Sequence, residues 1–428
     1  DKRVPVSNGD NAHWTPFGTD WYRAPLTGTI DLSKRDFRTG EPIDMTTANC
    51  YIVRNPGTYK IPLVYGNAVD GGNSNTQSYA PSIATGGSNG LTPFLNHLGY
   101  GIFDPYIENN TDNGEEKNYK AAYKDHGTNY PAVYNNFLVA NKAELVWCDA
   151  SILNVITVTE NIQGTPQGSY TSTNSVYGNS NVRYIQFNVS NTNICQCNAI
   201  IAVKDANNKI MWSWHIWITN NPDLGKSAID VTNNAGTTSS FLAAPAIGWI
   251  DPDLYEKKDD VVIVLEQEES GDLITVTAKQ SEYKFTAQSL LYQFGRKDPM
   301  RYGITSDINT GTVDIKTSIL NPGSLYTAWK ADEYYNLWTG KESKTYSLSG
   351  LLGSNSDAEE DDNKIKTIYD PSPAGYKVPS VKAFTGFTKD GQKCGGTNGT
   401  YQLSDSNFSG TYHNGWDFYT SSSKSSTI

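Results

Sequence analysis

The chain has 428 residues and a formal net charge of -11, with a sequence pI near 5.0. Duplex binding requires clustered Lys and Arg that displace counterions; no such cluster exists, so the composition argues against a nucleic-acid partner and against an anionic membrane surface. No run approaches the ~20 apolar residues of a membrane-spanning helix. Only 37% of residues are hydrophobic and 18% charged, while Tyr numbers 27 and Trp 10. The remainder is rich in Asn, Ser, Thr and Gly, which favour strands and turns over helices.

In chain order, residues 1–45 read as an irregular entry with one or two short strands. Cys50–Val53 and Lys60–Tyr65 are short apolar runs separated by the turn Asn55-Pro-Gly57. Residues 66–90, rich in Gly, Asn and Ser, are expected to form an exposed loop. Strands are expected at Glu144–Cys148, Ile152–Val158 and Val182–Val189, the last with Ile185, Phe187 and Val189 on one face. Ala199–Lys204 and Lys209–Thr219 flank Asp205-Ala-Asn-Asn208 and read as a hairpin. Its return strand is apolar on both faces, so it is expected to be covered on both sides. Residues 251–260 read as a linker, followed by a hairpin of Val261–Leu265 and Asp272–Thr277. A short helix is expected within Leu325–Trp338.

Candidate chemistry is sparse. The five His (13, 97, 126, 215 and 413) are scattered, and no nucleophile elbow, phosphate loop or dinucleotide fingerprint occurs. His215, inside Trp212-Ser-Trp-His-Ile-Trp217, reads as a core histidine. The pairs Asp251/Asp253 and Glu266/Glu268 read as surface charges, since glycoside cleavage needs two carboxyls across a cleft. Asp405–Gly410 and Asp307–Gly311 imitate calcium loops but lack donors; the first has Trp416 where a closing Glu belongs. The five Cys (50, 148, 195, 197 and 394) lack zinc spacing, and Cys195 and Cys197 are too close along one strand to pair readily. They are expected to be packed or partly oxidised, with no metal and no cofactor needed. Aromatic faces stack on sugars, and Trp416 and Trp338, outside strong strands, are the candidate ligand platforms, with Asn414 and Asp417 beside Trp416.

Several phrases resemble known families. Thr46-Thr-Ala-Asn-Cys-Tyr-Ile-Val53, Pro56–Asn67, Asn96-His-Leu-Gly99, Asp104-Pro-Tyr-Ile107 and Asn198–Asp205 running into Trp212–Trp217 resemble fimbrillin-like surface proteins of the Bacteroidales. Leu291-Tyr-Gln-Phe-Gly-Arg-Lys-Asp-Pro299 and Tyr369–Pro379 resemble the Fibrobacter succinogenes major paralogous domain. Ser372 stands where that module usually has Cys, and Phe294 and Tyr376 where Trp is usual, so Cys394 is left without the usual partner.

The resemblance implies a mainly β chain: an entry segment over 1–45, an immunoglobulin-like β-sandwich over 46–255, a connecting hairpin over 256–280 and a C-type-lectin-like α+β module over 281–428. That module is expected to continue past Ile428. The implied function is a non-enzymatic fimbrial (pilus) component in cell adhesion, exported to the outer-membrane surface, its signal segment already removed from the chain. Its implied partners are other fimbrial subunits, joined by β-strand addition, and a host glycan or surface protein. The alternatives are a glycan-binding lipoprotein of a polysaccharide-utilisation system and, third, a hydrolase.

Overall fold

The main sheet combines strands of alternating apolar and polar residues with strands buried on both faces. The computed structural model describes residues 13–14, 20–21, 23–79, 94–99, 102, 104–109, 139–150, 153–165, 182–220, 228–232, 238–242, 246–250, 255–256, 261–279, 283–284, 290–301, 308–328, 337–338 and 365–379. Among these, eight strands form one curled sheet: β1 (Thr29–Asp31), β2 (Cys50–Val53), β3 (Gly57–Pro62), β4 (Lys142–Cys148), β5 (Ile156–Gln163), β6 (Tyr184–Val189), β7 (Cys197–Lys204) and β8 (Ile210–Ile218). Their spatial order is β1-β3-β6-β5-β4-β7-β8-β2. β4 and β5 meet only at Lys142 and Asn161, so the sheet turns there into two four-stranded halves. Both halves contribute to one core, with Tyr59, Ile61, Ile185 and Phe187 from one and Ala199, Ile201, Trp212, Trp214 and Ile216 from the other.

The local rules hold well in β6 through β8. Ile185, Phe187 and Val189 are buried while Tyr184, Gln186 and Asn188 are not. The β7–β8 turn is held by Asp205, whose Oδ1 accepts from the backbone N–H groups of Asn207 and Lys209, each at 2.9 Å. Asn208 completes it at φ +64°, a left-handed conformation that Asn tolerates. β8 pairs antiparallel with β7 and parallel with β2, and every one of its residues is buried. One face joins the main core; on the other, Trp217 meets Cys50, Ile52 and Ile250.

Two local expectations are corrected. Gly66–Val69, placed in an exposed loop, is buried, because the Asn67 amide donates to the Thr367 carbonyl and Thr47 bonds across to Tyr65 and Val69. A short helix that the sequence did not announce lies upstream, at α1 (Ile315–Leu320), where Asp314 caps it by accepting from the Thr317 N–H at 2.7 Å; of the span Leu325–Trp338 where a helix is expected, residues 329–336 lie outside the described residues. Leu325–Ala328 is instead a strand, paired in parallel with Ile308–Thr312; its β-branched and aromatic residues suit that role.

The main core also draws on the later chain. Ile315, Ile319, Leu337, Ile368 and Tyr369 are buried in it. The Asn49 amide fastens this segment to the sheet, donating to the carbonyls of Ile368 at 2.5 Å and Asp370 at 2.8 Å. Its Oδ1 accepts from the Trp212 indole at 3.2 Å.

Candidate functional site

Three places in the fold gather chemically interesting side chains, and they differ chiefly in access. The first is a polar seam on the outer face of β8. Tyr292 lies 3.1 Å from His215 Nδ1, and His215 Nε2 lies 2.9 Å from Asn198 Oδ1. The Asn198 amide nitrogen donates to Asp149 at 3.2 Å and to the Gly248 carbonyl at 2.8 Å. Burial pushes the His215 pKa down to about 3 and the Asp149 pKa up to about 6. A Tyr–His–Asn–Asp chain could in principle relay protons, but His215 is 1% exposed. The expected core histidine is what the geometry shows.

One step along β8, the Lys297 ammonium lies 2.5 Å from Ser213 Oγ and 2.7 Å from both Asp298 oxygens. It also sits 4.5 Å from the centre of the Trp212 ring. Desolvation lowers the Lys297 pKa to about 8, against the pull of Asp298. A serine beside such a lysine is a nucleophile-and-base pair in chemical terms. All three residues are buried, so no substrate reaches them as folded. The group clamps Leu291–Pro299 onto the sheet.

A cavity of about 120 Å³ lies beside edge strand β2, lined by Arg23, Arg35, Phe37, Arg54, Tyr59 and Pro373 among others. That is below the roughly 300–1,000 Å³ of small-molecule sites.

The second place is the hairpin of β9 (Val261–Glu266) and β10 (Leu273–Ala278). Its turn is well formed: the Gln267 N–H donates to the Asp272 carbonyl, and Gly271, at φ +71°, donates back to Gln267. Ile263 faces Val276 and Leu265 faces Ile274, so one face is wholly apolar; Val262 faces Thr277 and Val264 faces Thr275 on the other. Yet Val262 to Leu265, Leu273, Ile274 and Val276 are 43 to 63% exposed. Among the described residues no third strand joins this pair. An uncovered two-stranded hairpin is marginal in water, and an exposed apolar edge is a template for another strand.

The third place is a cluster of two thiols and a carboxylate where β4 ends and β7 begins, Cys148, Asp149 and Cys197, with the buried Cys195 two residues before Cys197. Of the four buried cysteines there and at Cys50, each is free.

The expected ligand residues Asn414, Trp416 and Asp417 lie outside the described residues, as do Cys394, Asp251, Asp253 and the Asp405–Gly410 loop. Trp338 is described and half-buried. Its indole donates to the Arg296 carbonyl at 3.0 Å and its ring packs 4.9 Å from Phe294. Glu266 and Glu268 stand exposed at the hairpin turn. Asn309 and Gly311 lie in the strand Ile308–Thr312, where Asn309 Oδ1 accepts from the Gly311 N–H at 2.8 Å; Asp307 lies outside the described residues. Sequence reading located the hairpin but not its exposure, and passed over the thiol cluster because its members are far apart in the chain.

Comparison of the chain with protein-family models, with curated proteins and with solved structures found no match in any of the three. The functional reading therefore rests on residues and geometry.

Proposed function

We propose that the chain is a non-enzymatic structural and adhesive surface protein, a fimbrial subunit that joins its neighbours by strand addition at the β9–β10 hairpin. The observation that supports this reading is the exposed apolar face of Ile263, Leu265, Ile274 and Val276. A partner strand laid along either edge would supply the missing backbone hydrogen bonds, and a partner sheet would cover this face. Glu266, Glu268, Glu269 and Asp272 at the turn keep the free hairpin hydrated and favour a basic rim on the partner. The finer architecture belongs to the same proposal: an immunoglobulin-like sandwich over 46–255 and a lectin-like module over 281–428. The curled eight-stranded sheet supports a β-rich fold for the first stretch, and Ile315, Ile319, Ile368 and Tyr369 of the second pack into its main core.

The test replaces Ile263 and Ile274 together by Lys in the full-length protein, in cells that carry its gene. Both positions are exposed, so folding stability should change by no more than about 0.5 kcal/mol per site. Wild-type protein should appear in polymers sheared from the cell surface, and the double variant should be exported but left out of them. Equal incorporation of the variant, or absence of the wild type from the polymers, refutes the proposal.

A further inference from the structure

The cysteines look unpromising as a metal site when read along the chain. Cys195 and Cys197 are separated by one residue, and zinc sites ordinarily space paired Cys by two or more. Folding changes the set. β4 ends at Cys148 and β7 begins at Cys197, and the antiparallel register places Cys148 opposite Ala199. Cys197 is thus the diagonal neighbour of Cys148 on the same face. The sulfurs of Cys148 and Cys197 and a carboxylate oxygen of Asp149 all lie within 4.8 Å of one another.

Two uses of such a cluster compete. A disulfide between Cys148 and Cys197 would have to span a diagonal pair, whose Cα atoms stand roughly 7–8 Å apart in an antiparallel ladder. That is beyond the usual bridging range of about 4.4–6.8 Å. Tetrahedral zinc asks for less. With metal–sulfur bonds near 2.3 Å, sulfur ligands stand roughly 3.8 Å from each other, and the observed grouping within 4.8 Å brings the donors close to that spacing.

The carboxylate is already oriented. Asp149 Oδ1 accepts from the Asn198 N–H at 2.8 Å and Oδ2 from its side-chain amide at 3.2 Å. Asn198 is fixed in turn by His215 and Gly248. Hydrogen bonds of this kind hold a ligating carboxylate in place and leave its other lone pairs free for an ion. Two thiolates and one carboxylate around a dication leave a single negative charge, which the Asn198 donors face. Cys148 and Cys197 are buried and Asp149 is partly buried.

We propose that Cys148, Cys197 and Asp149 form a binding site for zinc or a similar thiophilic cation at the junction of β4 and β7, with the fourth tetrahedral position left to a water. The site ties the end of β4 to the start of β7. It is independent of the strand-addition surface on the β9–β10 hairpin.

The test uses the full-length protein, reduced, stripped with a chelator and dialysed against Zn²⁺ alone. About one zinc per chain should remain bound, and Co²⁺ in its place should show sulfur-to-cobalt charge-transfer absorption. Cys148→Ser and Cys197→Ser should each weaken zinc binding by at least about tenfold. Cys50→Ser, a buried thiol in a separate cluster, should leave it unchanged. If the serine variants do not fold, Asp149→Asn, which keeps the side-chain shape, carries the test with the same expected loss. No zinc retained by the reduced wild type, an equal loss in Cys50→Ser, or recovery of a Cys148–Cys197 disulfide from protein handled without reductant overturns the proposal.

Discussion

Acid should find His215 first. Its pKa falls from an ordinary 6.5 to about 3 because burial penalises the charged ring. Below pH 6.5 the unfolded chain takes up a proton that the folded chain refuses. This residue's contribution is therefore fully present above pH 6.5 and is lost as the pH falls toward 3. Each pKa unit corresponds to about 1.4 kcal/mol. At pH 5, about 1.5 units below the unfolded value, the loss comes to about 2 kcal/mol. Asp149 works in the opposite direction. Its pKa is raised to about 6, so its cost is relieved as the pH falls from 6 toward 3.8, and the total slope of the wild type understates the histidine. Comparison with His215→Gln removes that ambiguity, because Gln cannot titrate and the carboxylates remain in both proteins. Urea unfolding at pH 7 and pH 5 should show the wild type losing about 2 kcal/mol more than the variant over that interval. Identical pH dependence in the two proteins would mean that His215 is not held neutral in the core.

Trp214 is fully buried on the core face of β8, and Trp214→Ala should cost about 3–5 kcal/mol in denaturant unfolding; a loss below about 1 kcal/mol would contradict that packing. Lys297→Met leaves the buried Asp298 carboxylate without its cation and should cost about 3–5 kcal/mol at pH 7. The double change Lys297→Met with Asp298→Leu should recover most of this, since two apolar side chains replace a buried ion pair at little net cost. If it recovers nothing, the clamp is not electrostatic.

Most of the strand framework is readable from period-two patterning alone. β6 shows why: Ile185, Phe187 and Val189 alternate with polar residues, and only one register buries them. The β7–β8 hairpin is equally local, its turn made by the Asp205 side chain and by Asn208. The burial of both faces of β8 follows from its run of large residues, interrupted only by Ser213. Capping chemistry was also present in the sequence, at Asp314, but the helix it starts is only six residues long, too short for a 3.6-residue period to stand out.

What required the tertiary structure is everything that depends on residues distant in the chain. Asn67 lies in text that looks like a loop, and only the carbonyls of Thr367 and Asp370, about 300 positions away, make its burial tolerable. Cys197 shows no metal spacing until β4 brings Cys148 and Asp149 beside it. The β9–β10 hairpin illustrates the converse. Its pairing was legible from Val261 to Thr277, but an apolar strand pattern reads the same whether the residues are covered or bare. Sequence fixes which side chains share a face; only the folded chain decides what, if anything, lies against it, because burial is a property of the neighbours that long-range packing brings into place.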